Sequence, residues 1–280
     1  MKPLQIVMLT DFSPLSIVAL QYGARISRHL DAEYTVVNVV RLDGLPKSNI
    51  RMKTIEKSIH EIAQKEGQEL ILKISKDIKP GTKISFQTLK GHTVGDAIYR
   101  YTAKHKVDLV VLGSQGASSL KKLRLGGTAV SVIEMSSAPV LAVPKFAAVW
   151  SFRNVVYASD LKNVEKELET IIPFAKLFNS AIRMVHVVPA VDKKMESKRQ
   201  EIEKIIQHVK YPELSFDLLI DDNIPEAIDK FIREHKADVL TTFTHELSLY
   251  DKLFGMSVTR TIAYQGNIPL LAFKRRGKKK

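Results

Sequence analysis

The sequence repeats itself in order, and that repeat limits the fold more than any other feature. Val155-Val-Tyr-Ala-Ser-Asp160 returns Ile6-Val-Met-Leu-Thr-Asp11 at an offset of 149, and Met184-Val-His-Val-Val188 returns Val36-Val-Asn-Val-Val40 at 148. Ala237-Asp-Val-Leu240 then returns Val107-Asp-Leu-Val110, and Ile268-Pro-Leu-Leu271 returns Ala138-Pro-Val-Leu141, both at 130. Four matches in one order indicate duplication. The falling offset places the residues missing from the second copy between Val188 and Asp238. The loop after its second strand and the following helix are plausible places for them. The matched segments are short apolar runs of the kind buried on both faces of a parallel sheet.

Between these runs the spacing is helical. Ser13-Pro14 reads as an N-cap with proline in the first helical position, and Ile17, Leu20, Ala24 and Leu30 continue the helix. Ile55 to about Lys76 forms a long amphipathic stretch, with Gly67 as its weak spot. Ile84–Leu89 is the third strand. Gly91–Thr93 leads into a helix through Val94, Ile98 and Tyr101, and Val140–Val143 is the fifth strand. Strands alternating with helices imply right-handed crossovers. The expected fold is α/β, with two tandem five-stranded parallel-sheet domains. They occupy residues 1–146 and 152–274, and a basic tail follows at 275–280.

One stretch carries the candidate chemistry. After the apolar run Leu109–Leu112 come Gly113, Gly116, Gly126 and Gly127, then Thr128 and a new helical pattern. Gly113 would end the strand, and Gly116 would let backbone approach a ligand closely. Gly126, Gly127 and Thr128 sit where a helix should start, and free N–H groups there favour a phosphate. Lys121, Lys122 and Arg124, in the loop between, could offset its charge. The plainer alternative is that these glycines only make tight turns.

The spacing G-x2-G-x9-G followed by a small hydroxyl residue resembles the ATP-binding signature of the universal stress protein family. The flanks resemble it too: Asp11 after the first strand, Asn38-Val39-Val40 at the end of the second, and Ala138–Val143 as the last. The resemblance implies Rossmann-like domains of the adenine nucleotide alpha hydrolase type. It further implies ATP as ligand, with Mg2+ as a companion ion. Asp11 and Val39 would hold the adenosine end, and Gly113, Gly116, Gly126, Gly127 and Thr128 the phosphates. It also implies pairing of the two halves through their last strands as a pseudo-dimer, and leaves homo-oligomers open. The family has Ser or Thr where this chain has Gly127, so Thr128 comes one residue late.

The second copy departs further. At the 130 offset, Gly113 becomes Phe243, Gly116 becomes Glu246 and Gly126 becomes Met256, while Ser257 fits the family's hydroxyl position. Bulk and negative charge replace the phosphate turn. Asp160 and Val187 still match the adenosine side, which leaves room for a fragment of the pocket.

Other chemistry finds little support. No cysteine is present, which excludes disulfides and thiolate sites. The eight histidines form no H-x3-H pair or H-E-x-x-H motif, and no nucleophile elbow, Walker loop or G-x-G-x-x-G appears. His186 reads as a satisfied polar group in a strand, and Asp221-Asp222-Asn223 as an acidic turn before a helix. Asp108 and Asp238 read as turn caps. No catalytic or metal residue is nominated. Net charge is +13, of which residues 1–148 carry +9 and 149–280 carry +4. The tail Lys274–Lys280 reads as a solvated end. The surplus weakly suits a polyanion or nucleotide partner, and a nucleic acid is not expected. No apolar run approaches a membrane span, and the chain enters its first strand with no signal peptide, so the cytoplasm is expected. A nucleotide-binding stress or regulatory protein is the leading reading. An interaction scaffold without nucleotide and an ATP hydrolase are the alternatives.

Overall fold

The computed structural model describes residues 2–41, 49–115, 125–147, 151–189, 195–244 and 268–275. Two compact units divide the chain, the first ending at Lys145 and the second beginning at Phe146.

The first unit runs β1 (Leu4–Thr10), α1 (Pro14–Ser27), β2 (Ala32–Arg41), α2 (Asn49–Ile74), β3 (Ile84–Gly91), α3 (Val94–Lys104), β4 (Leu109–Gly113), α4 (Gly127–Met135) and β5 (Val140–Val143). The strands lie in the order β3-β2-β1-β4-β5, and every pairing is parallel. Continuous apolar runs make the central strands: the last five residues of β1 and the first four of β4 are buried. Caps set the helices that carry the site. Ser13 accepts the N–H of Ser16 at 3.2 Å at the start of α1, with Pro14 in the first turn. Thr93 accepts the N–H of Asp96 at 3.1 Å at the start of α3. Helices α3 and α4 meet at Gly95, where a Cβ would lie 2.1 Å from the Ser131 hydroxyl and 2.7 Å from its carbonyl oxygen. Only glycine permits this approach, which seats α4 against α3.

The second unit runs β6 (Asn154–Ala158), α5 (Val164–Phe178), β7 (Ala181–Val188), α6 (Met195–His208), β8 (Leu214–Ile220), α7 (Ile224–Glu234), β9 (Val239–Thr244) and β10 (Leu270–Lys274). Its strands lie in the order β10-β9-β6-β7-β8, all pairings again parallel. The register repeats that of the first unit: Gly113 pairs with Val143, and Phe243 with Phe273. Phe243 therefore stands in the place of Gly113, as the ungapped alignment requires. The second copy is shorter at its second helix, where α6 has 14 residues against 26 in α2.

The repeated Val/Ala-Asp pair ties strand starts together. Asp108 accepts the N–H of Gln5 at 2.9 Å and returns its own N–H to the Gln5 carbonyl at 2.8 Å. Asp238 accepts the N–H groups of Arg153 and Asn154 at 2.9 and 2.8 Å and donates its own N–H to the Asn154 carbonyl. Each carboxylate thus fixes the register of a central strand pair. Asp221 accepts the Asn223 N–H at 2.7 Å, and Asn223 caps α7, so that acidic cluster is a turn.

Candidate functional site

In the first unit β1 lies between β2 and β4, so the crossovers leave it in opposite directions. Open α/β sheets bind ligands at the carboxyl ends of strands at such a reversal. A cavity of about 240 Å³ lies there. Leu9, Val37, Val39, Val94 and Leu112 give it apolar walls, and Asp11, Asn38 and Thr128 supply polar groups.

The turn after β1 is built by hydrogen bonds. The Thr10 hydroxyl accepts the N–H of Phe12 at 2.9 Å and lies 2.9 Å from the Ser16 hydroxyl. Asp11 Oδ1 accepts the N–H of Ser13 at 3.1 Å. Phe12 takes φ of 62°, a left-handed conformation that few non-glycine residues adopt. Strain of this kind persists where surrounding bonds over-determine the backbone. It leaves Asp11 exposed at the cavity rim. Partial burial pushes the Asp11 carboxyl up, but hydrogen bonds from Ser13 and Ser16 outweigh it and hold it below the usual carboxylate value. An ionised carboxylate is an acceptor only, so Asp11 suits a ligand hydroxyl or amino group. Asn38 is fixed by donating Nδ2–H to the Thr10 carbonyl at 2.9 Å.

The other end of the cavity meets α4. Its N-cap is Gly126, with no side-chain cap, in contrast to α1 and α3. Gly126 donates its N–H to the Ser114 carbonyl at 2.7 Å, so that donor is spent on joining the helix to the end of β4. The next N–H groups, of Gly127, Thr128 and Ala129, lie in the first helical turn, which has no intrahelical acceptors for them. With the helix dipole they make an anion-favouring end.

Of the residues nominated from sequence, Asp11, Val39, Gly113 and Thr128 line one cavity. Gly126 and Gly127 stand behind it at the helix start. Gly116, Lys121, Lys122 and Arg124 lie outside the described residues. Sequence reasoning missed Ser16, Val94, Arg41 and Gln115, which also line it. Arg41 had a legible signal: it follows Val39 by two residues on β2, so it faces the same side of the sheet.

The second unit keeps the turn after its first strand. The Ser159 hydroxyl accepts the N–H of Leu161, Asp160 accepts that of Lys162, and Leu161 takes φ of 60°. His186 replaces Asn38, with Nδ1–H donating to the Ser159 carbonyl at 2.8 Å. The residues expected to leave a fragment of an adenosine pocket there are differently engaged. Asp160 is held by Arg275, whose Nη2 lies 2.5 Å from Oδ1. Phe243 is buried and stacks on Phe273 with ring centroids 5.3 Å apart, filling the place of Gly113. Glu246, Met256 and Ser257 lie outside the described residues.

Among the described residues no group of three or more His, Cys, Asp or Glu side chains could hold a metal ion, and no helix is long and apolar enough to cross a membrane.

Residues 4–144 match the model of the universal stress protein family. Over 142 residues, 50% of the chain, the sequence is 33% identical to a universal stress protein of Methanocaldococcus jannaschii, 82% of which is covered. Over 139 residues, 48% of the chain, it is 28% identical to a universal stress protein of Bacillus subtilis, 93% of which is covered. The crystal structure of a universal stress protein from Archaeoglobus fulgidus superposes with a TM-score of 0.70 at 20% identity, covering 97% of this chain and 98% of that one. At that identity the likeness is one of fold.

Proposed function

Because the chain belongs to the universal stress protein family, we propose that its first unit binds an adenine nucleotide, ATP in particular, in a stress-response or regulatory role in the cytoplasm. One observation carries this reading: Asp11, Val39, Gly113 and Thr128, distant in sequence, converge on a single cavity that ends at a helix start without a side-chain cap. The apolar walls suit a purine, Asp11 accepts from ribose or base, and the first turn of α4 faces the phosphates. The cavity is small beside the roughly 300–1,000 Å³ usual for ligand sites, which suits a nucleoside inside with its phosphates lying along the helix start. Mg2+ would enter with the phosphates, as it commonly does. No general base or nucleophile is nominated, so binding is favoured over turnover. Steady ADP release above a blank would mark the hydrolase reading instead.

The first test is mass spectrometry of ligand released from protein purified without added nucleotide. The second is calorimetry with ATP, which is expected to give one site per chain. Two equal sites, or none, would overturn the reading.

A further inference from the structure

The equivalent region of the second unit has its own chemistry. Arg275 belongs to the stretch Lys274–Lys280 that reads from sequence as a solvated end, yet its side chain is 5% exposed. Its Nε donates to Glu167 Oε1, and its Nη2 and Nη1 donate to Asp160 Oδ1 and Oδ2, at 2.5 and 3.3 Å. Glu167 is buried to 2%, and its other carboxylate oxygen accepts the hydroxyl hydrogen of Tyr157, itself fully buried. The two carboxylates come from different elements, the turn after β6 and the helix α5. They present a forked acceptor set that matches a planar guanidinium and that a point-like ammonium cannot span.

The first unit has Asp11 and none of the rest. Met8 stands in the place of Tyr157, α1 carries no acidic residue, and an exposed Lys145 takes the place of Arg275. Three residues particular to the second unit therefore act together with the one carboxylate shared by both.

We infer that the second unit has converted the ligand end of its first strand into a guanidinium-recognition site, and that the chain's own Arg275 is the resident ligand. The site recognises the opposite charge from the phosphate-favouring end of the first unit, and it is filled in cis. This inference does not depend on whether the first unit binds ATP. The effects on the neighbours agree with it. Burial pushes the Asp160 carboxyl up, but hydrogen bonds from Arg275 and the Lys162 backbone, with the charges of both residues, outweigh that and hold it low. Burial and the charge of Glu167 drive the Tyr157 hydroxyl well above its ordinary value, so it stays a donor.

The test uses the full chain with Arg275→Ala and Arg275→Lys, followed by calorimetric melting at matched ionic strength. The probes are millimolar methylguanidinium and, as control, methylammonium. Arg275→Ala is expected to melt several degrees below wild type, and methylguanidinium should saturably recover at least half of that loss. Methylammonium should recover none, and wild type should respond to neither. Arg275→Lys keeps the charge without the fork and should also melt below wild type. Equal action of the two probes on the alanine variant would overturn the inference, as would a lysine variant that melts with wild type. If the alanine variant does not fold, the lysine variant decides alone.

Discussion

Gly127 and Thr128 divide one role between them. Thr128 lines the cavity, whereas Gly127 precedes it as the first helical residue, where an added Cβ would meet nothing within 4 Å. A hydroxyl hydrogen bond to a charged group contributes about 1.5–3 kcal/mol, or about one to two decades of affinity. Thr128→Ala is therefore expected to weaken ATP binding by that factor in calorimetry. Gly127→Ser should fold normally and change affinity little, because the hydroxyl role is already taken. If neither substitution moves the affinity, the phosphates do not sit at this helix start. A second residue tests the comparison between the copies. Thr241 is fully buried, and its hydroxyl has no hydrogen-bond partner among the described residues. The equivalent residue in the first unit is Val111. An unsatisfied buried hydroxyl costs about 1–3 kcal/mol, and valine has nearly the same shape. Thr241→Val should raise the denaturation midpoint, and a fall would mean that the hydroxyl is satisfied in solution.

Helix α2 shows how an element can be legible in outline and misread in one detail. Its periodicity announces the helix, and Gly67 reads as its weak spot because glycine is about 1 kcal/mol worse than alanine in a helix interior. The structure reverses the sign. A Cβ at Gly67 would lie 2.4 Å from the ring of Phe86 on β3, so glycine is what lets α2 seat on the sheet. Overpacking costs about 1–3 kcal/mol, which exceeds the propensity gain. Gly67→Ala should lower the urea midpoint, and adding Phe86→Leu should recover part of it; a midpoint raised by Gly67→Ala alone would refute the contact. The same division runs through the chain. Strand β5 is legible in the sequence to the residue, and β3 and β4 within two, because apolar runs bounded by turns are local signals. Asp11, Val39, Gly113 and Thr128 were legible because strand ends and helix starts are local too. Arg275 was not, since its partners Glu167 and Asp160 lie 108 and 115 residues away, and a charge run names no partner. The spent N–H of Gly126 was equally hidden, because its acceptor at Ser114 is fixed only when β4 and α4 are in place.

At the scale of the whole molecule, the duplication itself calls for a partner. Strand β5 ends the strand order of the first unit and β10 that of the second. Both are apolar, Val140-Leu-Ala-Val143 and Leu270-Leu-Ala-Phe273. In an isolated unit each would carry a row of unpaired N–H and C=O groups along an apolar edge, with no lysine, proline or bulge in those four residues to blunt it. We propose that the two halves satisfy these edges within one chain as a pseudo-dimer, and that they depend on each other for solubility. A chain ended at Lys145 would then have to replace the missing edge from another copy. It should dimerise or aggregate in light scattering, while the full chain stays soluble at the same concentration. The sharper form of the test adds the second half back. Residues 1–145 and 152–280 produced together should co-purify as a one-to-one complex, because each offers the strand the other lacks. That complex should still bind one ATP, since the cavity is built wholly from the first unit. A stable, dilute monomer of residues 1–145 that ignores the second half would show that the terminal strands are tolerated as free edges, and the pairing would have to be abandoned.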